Sequence, residues 1–115
     1  MDNAVRRGAT FLDKAIGTDW DEAVNLDALI GSNGSTCLLG QLYGSCEHGL
    51  LLLMPGDAQE EAAVRRTTAC EHGFMLADAT PQDYAALDNA WRAEIVRRRT
   101  ARARAEIDRD LACAT

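Results

Sequence analysis

Two copies of Cys-Glu-His-Gly, at 46–49 and 70–73, repeat within a chain of 115 residues. Cys46, His48, Cys70 and His72 are thiolate and imidazole donors, the set from which a tetrahedral zinc site is assembled. Structural zinc pairs usually leave about two to four residues between ligands, so a single intervening residue strains the chelate. A second reading accounts for each letter without a metal. Gly49 and Gly73 each end a helix in the left-handed conformation, and His48 and His72 sit in the last turn, at the carbonyl end of the dipole. Cys46 and Cys70 fill small apolar slots, and Leu50 and Phe74 supply the apolar contact that follows such a glycine. The spacing favours two helix endings and no cofactor, with zinc on these four side chains as the alternative.

The remaining chemical groups are sparser. Cys37 has no histidine near it in sequence, which suits a buried structural thiol better than a nucleophile. The run 31–35, Gly-Ser-Asn-Gly-Ser, precedes a helix and could cradle an anion. It lacks the lysine and the preceding strand of a phosphate loop, so it reads as a connector. Arg97, Arg98, Arg99, Arg102 and Arg104 crowd two turns near the C-terminus. They are candidates for contact with a partner, and a phosphate-binding arm is the alternative. Paired carboxylates at an acid–base spacing are missing, so the expectation is a protein that is not an enzyme.

Helices must position these groups. Val5, Ala9, Leu12 and Ile16 recur on one stripe, with Asp2 or Asn3 as cap and Gly17 as terminator. Asp19-Trp20-Asp21-Glu22 reads as a capping box that turns Trp20 and Val24 inward. A connector over 25–33 is anchored by Leu26, Leu29 and Ile30. A second helix is expected from Thr36 to His48, burying Leu39, Leu42, Tyr43 and Cys46. Within it Gly40 and Gly44, four apart, cost about 1 kcal/mol each relative to alanine and suggest close approach of another backbone. Pro55-Gly56 breaks the chain, and Asp57 with Glu60 opens a third helix running to about His72, with a Glu61–Arg65 pair outside. Thr80, Pro81 and Asp83 open the last helix, whose stripe is Tyr84, Leu87, Trp91 and Ile95. Past Ile95 the arginines interrupt the stripe, and apolar residues return only at Ile107 and Leu111. Residues 1–96 are therefore expected to form the core and 97–115 a solvated extension. Weak strand signals at 50–54 and 74–76 allow a brief pairing.

Composition bounds the rest. One domain, 47% hydrophobic, can fold without disulfides. The first residues do not read as a secretory signal, and the longest apolar run, 50–54, is far short of the roughly 18 residues of a membrane span. Four cysteines without such a signal suggest a reducing cytoplasm. The net charge of −6 is uneven: residues 1–91 carry 14 acids and 5 bases, residues 92–115 carry 7 arginines and 4 acids. An acidic body argues against nucleic acid as the main partner.

The series Gly8-Ala9-Thr10-Phe11-Leu12-Asp13, Trp20, Asn25-Leu26-Asp27-Ala28-Leu29 and Cys37-Leu38-Leu39-Gly40-Gln41-Leu42-Tyr43-Gly44 resembles a family of small proteins from actinobacteria and their bacteriophages. The likeness runs on through Gly49-Leu50, His72-Gly73-Phe74, Tyr84, Leu87 and Trp91. Family members often carry a second cysteine before the one matching Cys37, and 32–36 here has none. Gly40, Gln41, Tyr43, Gly44, Trp20 and Trp91 are expected in structural roles, and the resemblance implies a phage or phage-derived origin in the bacterial cytoplasm. The combined expectation is an all-α bundle of about four main helices with a long Arg-rich C-terminal helix. It is an accessory protein that binds a host or phage protein, with self-association through that helix as a further possibility. A zinc-stabilised module touching nucleic acid through the arginines is the alternative, and an acidic DNA mimic the next.

Overall fold

Helix is the only regular structure among the described residues, 2–33, 36–53 and 66–113 of this computed structural model. The elements are α1 (Asp2–Ile16), two single 3-10 turns (Trp20–Ala23 and Leu26–Ala28), α2 (Leu38–Tyr43), α3 (Cys46–Leu53), the described part of α4 (66–71) and α5 (Pro81–Cys113). The all-α architecture with a long last helix agrees with the sequence reading. Leu50–Leu53 is helical, so the brief strand pairing is not seen. The chain break at 55–56, the box at 57–60 and the Glu61–Arg65 pair lie outside the described residues.

Helix α1 buries Val5, Ala9 and Leu12, while Ile16, expected on the same stripe, is largely exposed. It falls one residue before Gly17, whose φ of 106° turns the chain away from the core. Near its start α1 runs tight against the end of α4. A Cβ on Gly8 would collide with the His72 carbonyl, and one on Gly73 would come within 3.1–3.2 Å of the Ala4–Val5 backbone. Each glycine thus lies against the other segment's backbone, and a side chain on either would force the two apart.

Helix α5 opens as its sequence dictates. The Thr80 N–H donates to Asp83 Oδ2 at 2.9 Å, and the Asp83 N–H donates back to Thr80 Oγ1 at 3.2 Å. These hydrogen bonds hold the Asp83 carboxyl below the usual carboxylate range. Leu87, Trp91 and Ile95 are buried on the side of α5 that packs on α1 and the first 3-10 turn. Trp91 stacks on Phe74 with ring centroids 6.0 Å apart, and meets the Trp20 ring edge-on at 6.0 Å. Both indoles are tethered as well: Trp91 Nε1 donates to the Gly73 carbonyl at 2.7 Å and Trp20 Nε1 to Asp13 Oδ1 at 2.9 Å.

Several local expectations give way to tertiary contacts. Asp19 precedes the first 3-10 turn but forms no side-chain cap; its carbonyl accepts the Glu22 N–H at 3.1 Å, and the Glu22 carboxylate meets Arg102. Ile30 is about half exposed and anchors nothing, whereas Leu29 is buried. The helix expected over 36–48 is two helices. Gly44, with φ of 93°, ends α2, and Ser45 starts α3 by accepting the His48 N–H at 3.0 Å. Gly44 is therefore required for its conformation, not for close packing; a Cβ there would meet nothing within 4 Å. No described helix is long and apolar enough to cross a membrane.

Candidate functional site

The two Cys-Glu-His-Gly copies have opposite structural meanings. The second is a helix ending of the expected kind. The Phe74 N–H reaches the Ala69 carbonyl at 2.9 Å and the Gly73 N–H the Cys70 carbonyl at 3.1 Å, around a glycine of φ 70°. The first is a helix beginning: Cys46 opens α3, His48 lies exposed in its first turn, and Gly49 is inside the helix. Gly49 is small because a Cβ would sit 3.0 Å from Leu39 and Tyr43 on α2. The reading of His48 and Gly49 as a helix end is thereby corrected. Nor do Cys46, His48, Cys70 and His72 come together: no described group of three or more Cys, His, Asp or Glu is arranged to hold a metal. Cys46 instead hydrogen-bonds the Cys37 thiol. That bond, helped by the Gly40 N–H at 3.2 Å, pulls Cys37 down to about 7 and pushes Cys46 up.

The segment 39–44 holds the connector. Gln41 uses its amide like a piece of backbone. Its Oε1 accepts the Asn25 N–H at 2.6 Å, and its Nε2 donates to the Asn25 and Thr36 carbonyls at 3.1 Å. Gly40 is buried, and burial raises the pKa of the half-buried Tyr43 hydroxyl. Trp20 and Trp91 are both buried in the core.

The arginines depart most from expectation. Past Ile95 the apolar stripe stops but packing continues. Arg98 grips Asp13 with both Nη atoms, at 2.7 and 3.0 Å, reaches Glu94 through Nε at 3.0 Å, and lies 5.4 Å from the centre of the Trp20 ring. Arg99 Nη2 donates to the Asp21 and Val24 carbonyls, at 2.6 and 2.7 Å, adding a second donor to the Asp21 carbonyl, which already accepts the Val24 N–H at 3.2 Å within the 3-10 turn. Arg102 forks onto the fully buried Asp21 carboxylate at 2.7 and 3.0 Å, and also holds Glu22 and the Thr18 carbonyl. Burial opposes ionisation of Asp13, but the bonds from Arg98 and Trp20 prevail and hold it below its ordinary range. Glu94 is lowered by Arg97 and then by Arg98. Arg98, Arg99 and Arg102 are thus internal fasteners, and the packed part of α5 extends to residue 102, not 96. Arg97, on Glu94 of its own helix, and Arg104 remain at the surface.

Beyond these fasteners α5 presents a second stripe that the sequence reading saw only in part. Val96, Thr100, Ala103, Ile107 and Leu111 follow a four-three-four-four spacing and are all exposed. At about 100° per residue this stripe is rotated by roughly a quarter turn or more from the buried side of α5. Arg97 and Arg104 border it, and with Thr100, Ala101, Ala105 and Asp108 they line an open depression of about 500 Å³. The result is an amphipathic face with an apolar centre and a cationic edge. The missed signal was Val96, which continues the Ile107–Leu111 register toward the core.

No protein-family model matches the chain, and no curated protein or solved structure does.

Proposed function

We propose that the protein is a small non-enzymatic accessory module that binds a protein partner by laying the exposed stripe of α5 into an apolar groove. The observation that carries this reading is the 57% exposure of Ile107 and 64% exposure of Leu111, in register with Val96, on a helix that outruns its own core. Anchors spaced three and four residues apart are the signature of helix-in-groove recognition. The engagement of Asp13, Asp21 and Glu94 by arginines supports the non-enzymatic part, since these carboxylates are already committed to internal ion pairs. The resemblance of residues 8–95 to actinobacterial and phage proteins supports a phage or phage-derived role in a bacterial cytoplasm.

The test is cross-linking and affinity capture with the parent chain and with Ile107→Glu/Leu111→Glu. Both side chains are exposed, so circular dichroism should show the fold retained. A partner captured by the parent and lost by the variant supports the reading. A partner retained by the variant refutes it, as does failure of the parent to capture any partner together with a monomeric state in sedimentation.

A further inference from the structure

The outer side of α1 carries a second feature, separate from the α5 stripe and bordering the core where Phe11 and His72 meet Phe74. Arg6, Arg7, Thr10, Phe11 and Lys14 of α1, with His72 from the end of α4, line an open surface depression of about 370 Å³. The volume falls in the range of small-molecule sites, about 300–1,000 Å³. Three of the 12 basic residues of a chain with net charge −6 stand on this wall, and no carboxylate lines it. Arg6 and Lys14 make no ion pair among the described residues. Arg7 is braced by its Nε, which donates to the Glu71 carbonyl at 2.8 Å at the C-terminal end of α4. That bond fixes the guanidinium and leaves both Nη groups without a partner among the described residues.

Beside the cations the lining is aromatic, with Phe11 on the same helix and His72 at the end of α4. His72 lies edge-on to Phe11 with centroids 5.1 Å apart, and is stacked on Phe74. Its Nδ1 is 2.7 Å from the Thr68 carbonyl, which assigns the proton to Nδ1 and leaves Nε2 as an acceptor in the neutral ring. Cations next to aromatic rings and one ring acceptor match a ligand that is anionic at one end and planar at the other.

We infer that this depression binds a nucleoside monophosphate, with its phosphate held by Arg6, Arg7 and Lys14 and its ring placed against Phe11 and His72. An arginine fork and a lysine point charge complement a phosphate dianion, and the Thr10 hydroxyl offers it a further donor. Inorganic phosphate alone would leave the aromatic wall unused. This site is separate from the α5 stripe and stands or falls without it.

The experiment is a heteronuclear NMR titration of the full chain at low salt with adenosine monophosphate, inorganic phosphate and adenosine. The monophosphate should produce saturable shifts confined to residues 6–14 and 72, and adenosine none. Inorganic phosphate should bind more weakly, by about tenfold. Arg6→Ala/Lys14→Ala removes two exposed side chains from a helix, so the fold should stand; affinity for the monophosphate should fall at least about tenfold. Arg104→Ala should leave it unchanged. Monophosphate affinity in Arg6→Ala/Lys14→Ala within about twofold of the parent overturns the site. Equal affinity for phosphate and the monophosphate overturns the nucleotide assignment, and shifts scattered over the surface overturn both.

Discussion

Replacing Asp21 with asparagine tests whether α5 is fastened to the body as far as Arg102. The Asp21 carboxylate is fully buried and receives two N–H groups from Arg102, at 2.7 and 3.0 Å, with Arg99 Nε 3.9 Å away. Asparagine keeps the shape and one acceptor but removes the charge, leaving two guanidinium groups facing a neutral amide. Breaking a buried pair from one side costs about 3–5 kcal/mol. Arg102 is 30% exposed and Arg99 36%, so water recovers part of their hydration. We expect a loss of about 2–3 kcal/mol for Asp21→Asn after that discount. Urea unfolding followed by circular dichroism measures it, with the slope checked for constancy so that midpoints can be compared. A double-mutant cycle with Arg102→Met isolates the pair, and coupling of at least about 1 kcal/mol is expected. A loss under about 0.5 kcal/mol, typical of an exposed position, together with no coupling, would show that the last turns of α5 do not belong to the cooperative core.

Three further outcomes follow from local geometry. Gly73→Ala should cost more than Gly44→Ala in thermal unfolding. Both positions have positive φ, worth about 1–2 kcal/mol, but only at Gly73 does the new Cβ press on the α1 backbone. Thr80→Ala should lower stability by about 1 kcal/mol through loss of the reciprocal cap, read as a drop in the urea midpoint. Asp13 and Glu94 have folded-state pKa values below 3.8 and 4.5, so their contribution is complete above those values and is lost as pH falls through the lower folded ones. A melting-temperature series from neutral to strongly acid pH should therefore stay flat on this account down to about pH 4.5 and fall below it, and Arg98→Met should reduce the fall.

What the sequence made legible is what neighbouring residues decide. The Thr80-Pro81-Asp83 opening, the Gly17 and Gly73 endings and the buried side of α5 all rest on groups within a turn of one another. The first Cys-Glu-His-Gly copy misled because the same four letters serve a start or an end. The deciding residues are Gly44 and Ser45 just upstream, where a left-handed terminator is followed at once by a hydroxyl cap. The arginines misled for a different reason. Arg98 meets Asp13 across 85 residues and Arg102 meets Asp21 across 81, and no periodicity along α5 carries that information. The cationic wall of α1 was within reach: Arg7, Thr10 and Lys14 share one helix side, but that helix was read for its apolar stripe alone.

The arginine fasteners and the exposed stripe are physically linked. An isolated helix shorter than about 12–15 residues is marginal in water, and residues 103–113 alone fall below that length. These turns hold because they propagate from a helix already nucleated at Thr80 and pinned at Arg98, Arg99 and Arg102, since extending a helix needs no new nucleus. The same pins fix the rotation of α5 about its axis, and so decide which way Val96, Ile107 and Leu111 face. On the proposed reading a partner groove would meet a face already ordered, and ordering entropy would take less of the binding energy than it would from a flexible tail. Loss of the Asp21 charge should consequently weaken partner capture even though Asp21 itself is buried and far along the chain from the stripe.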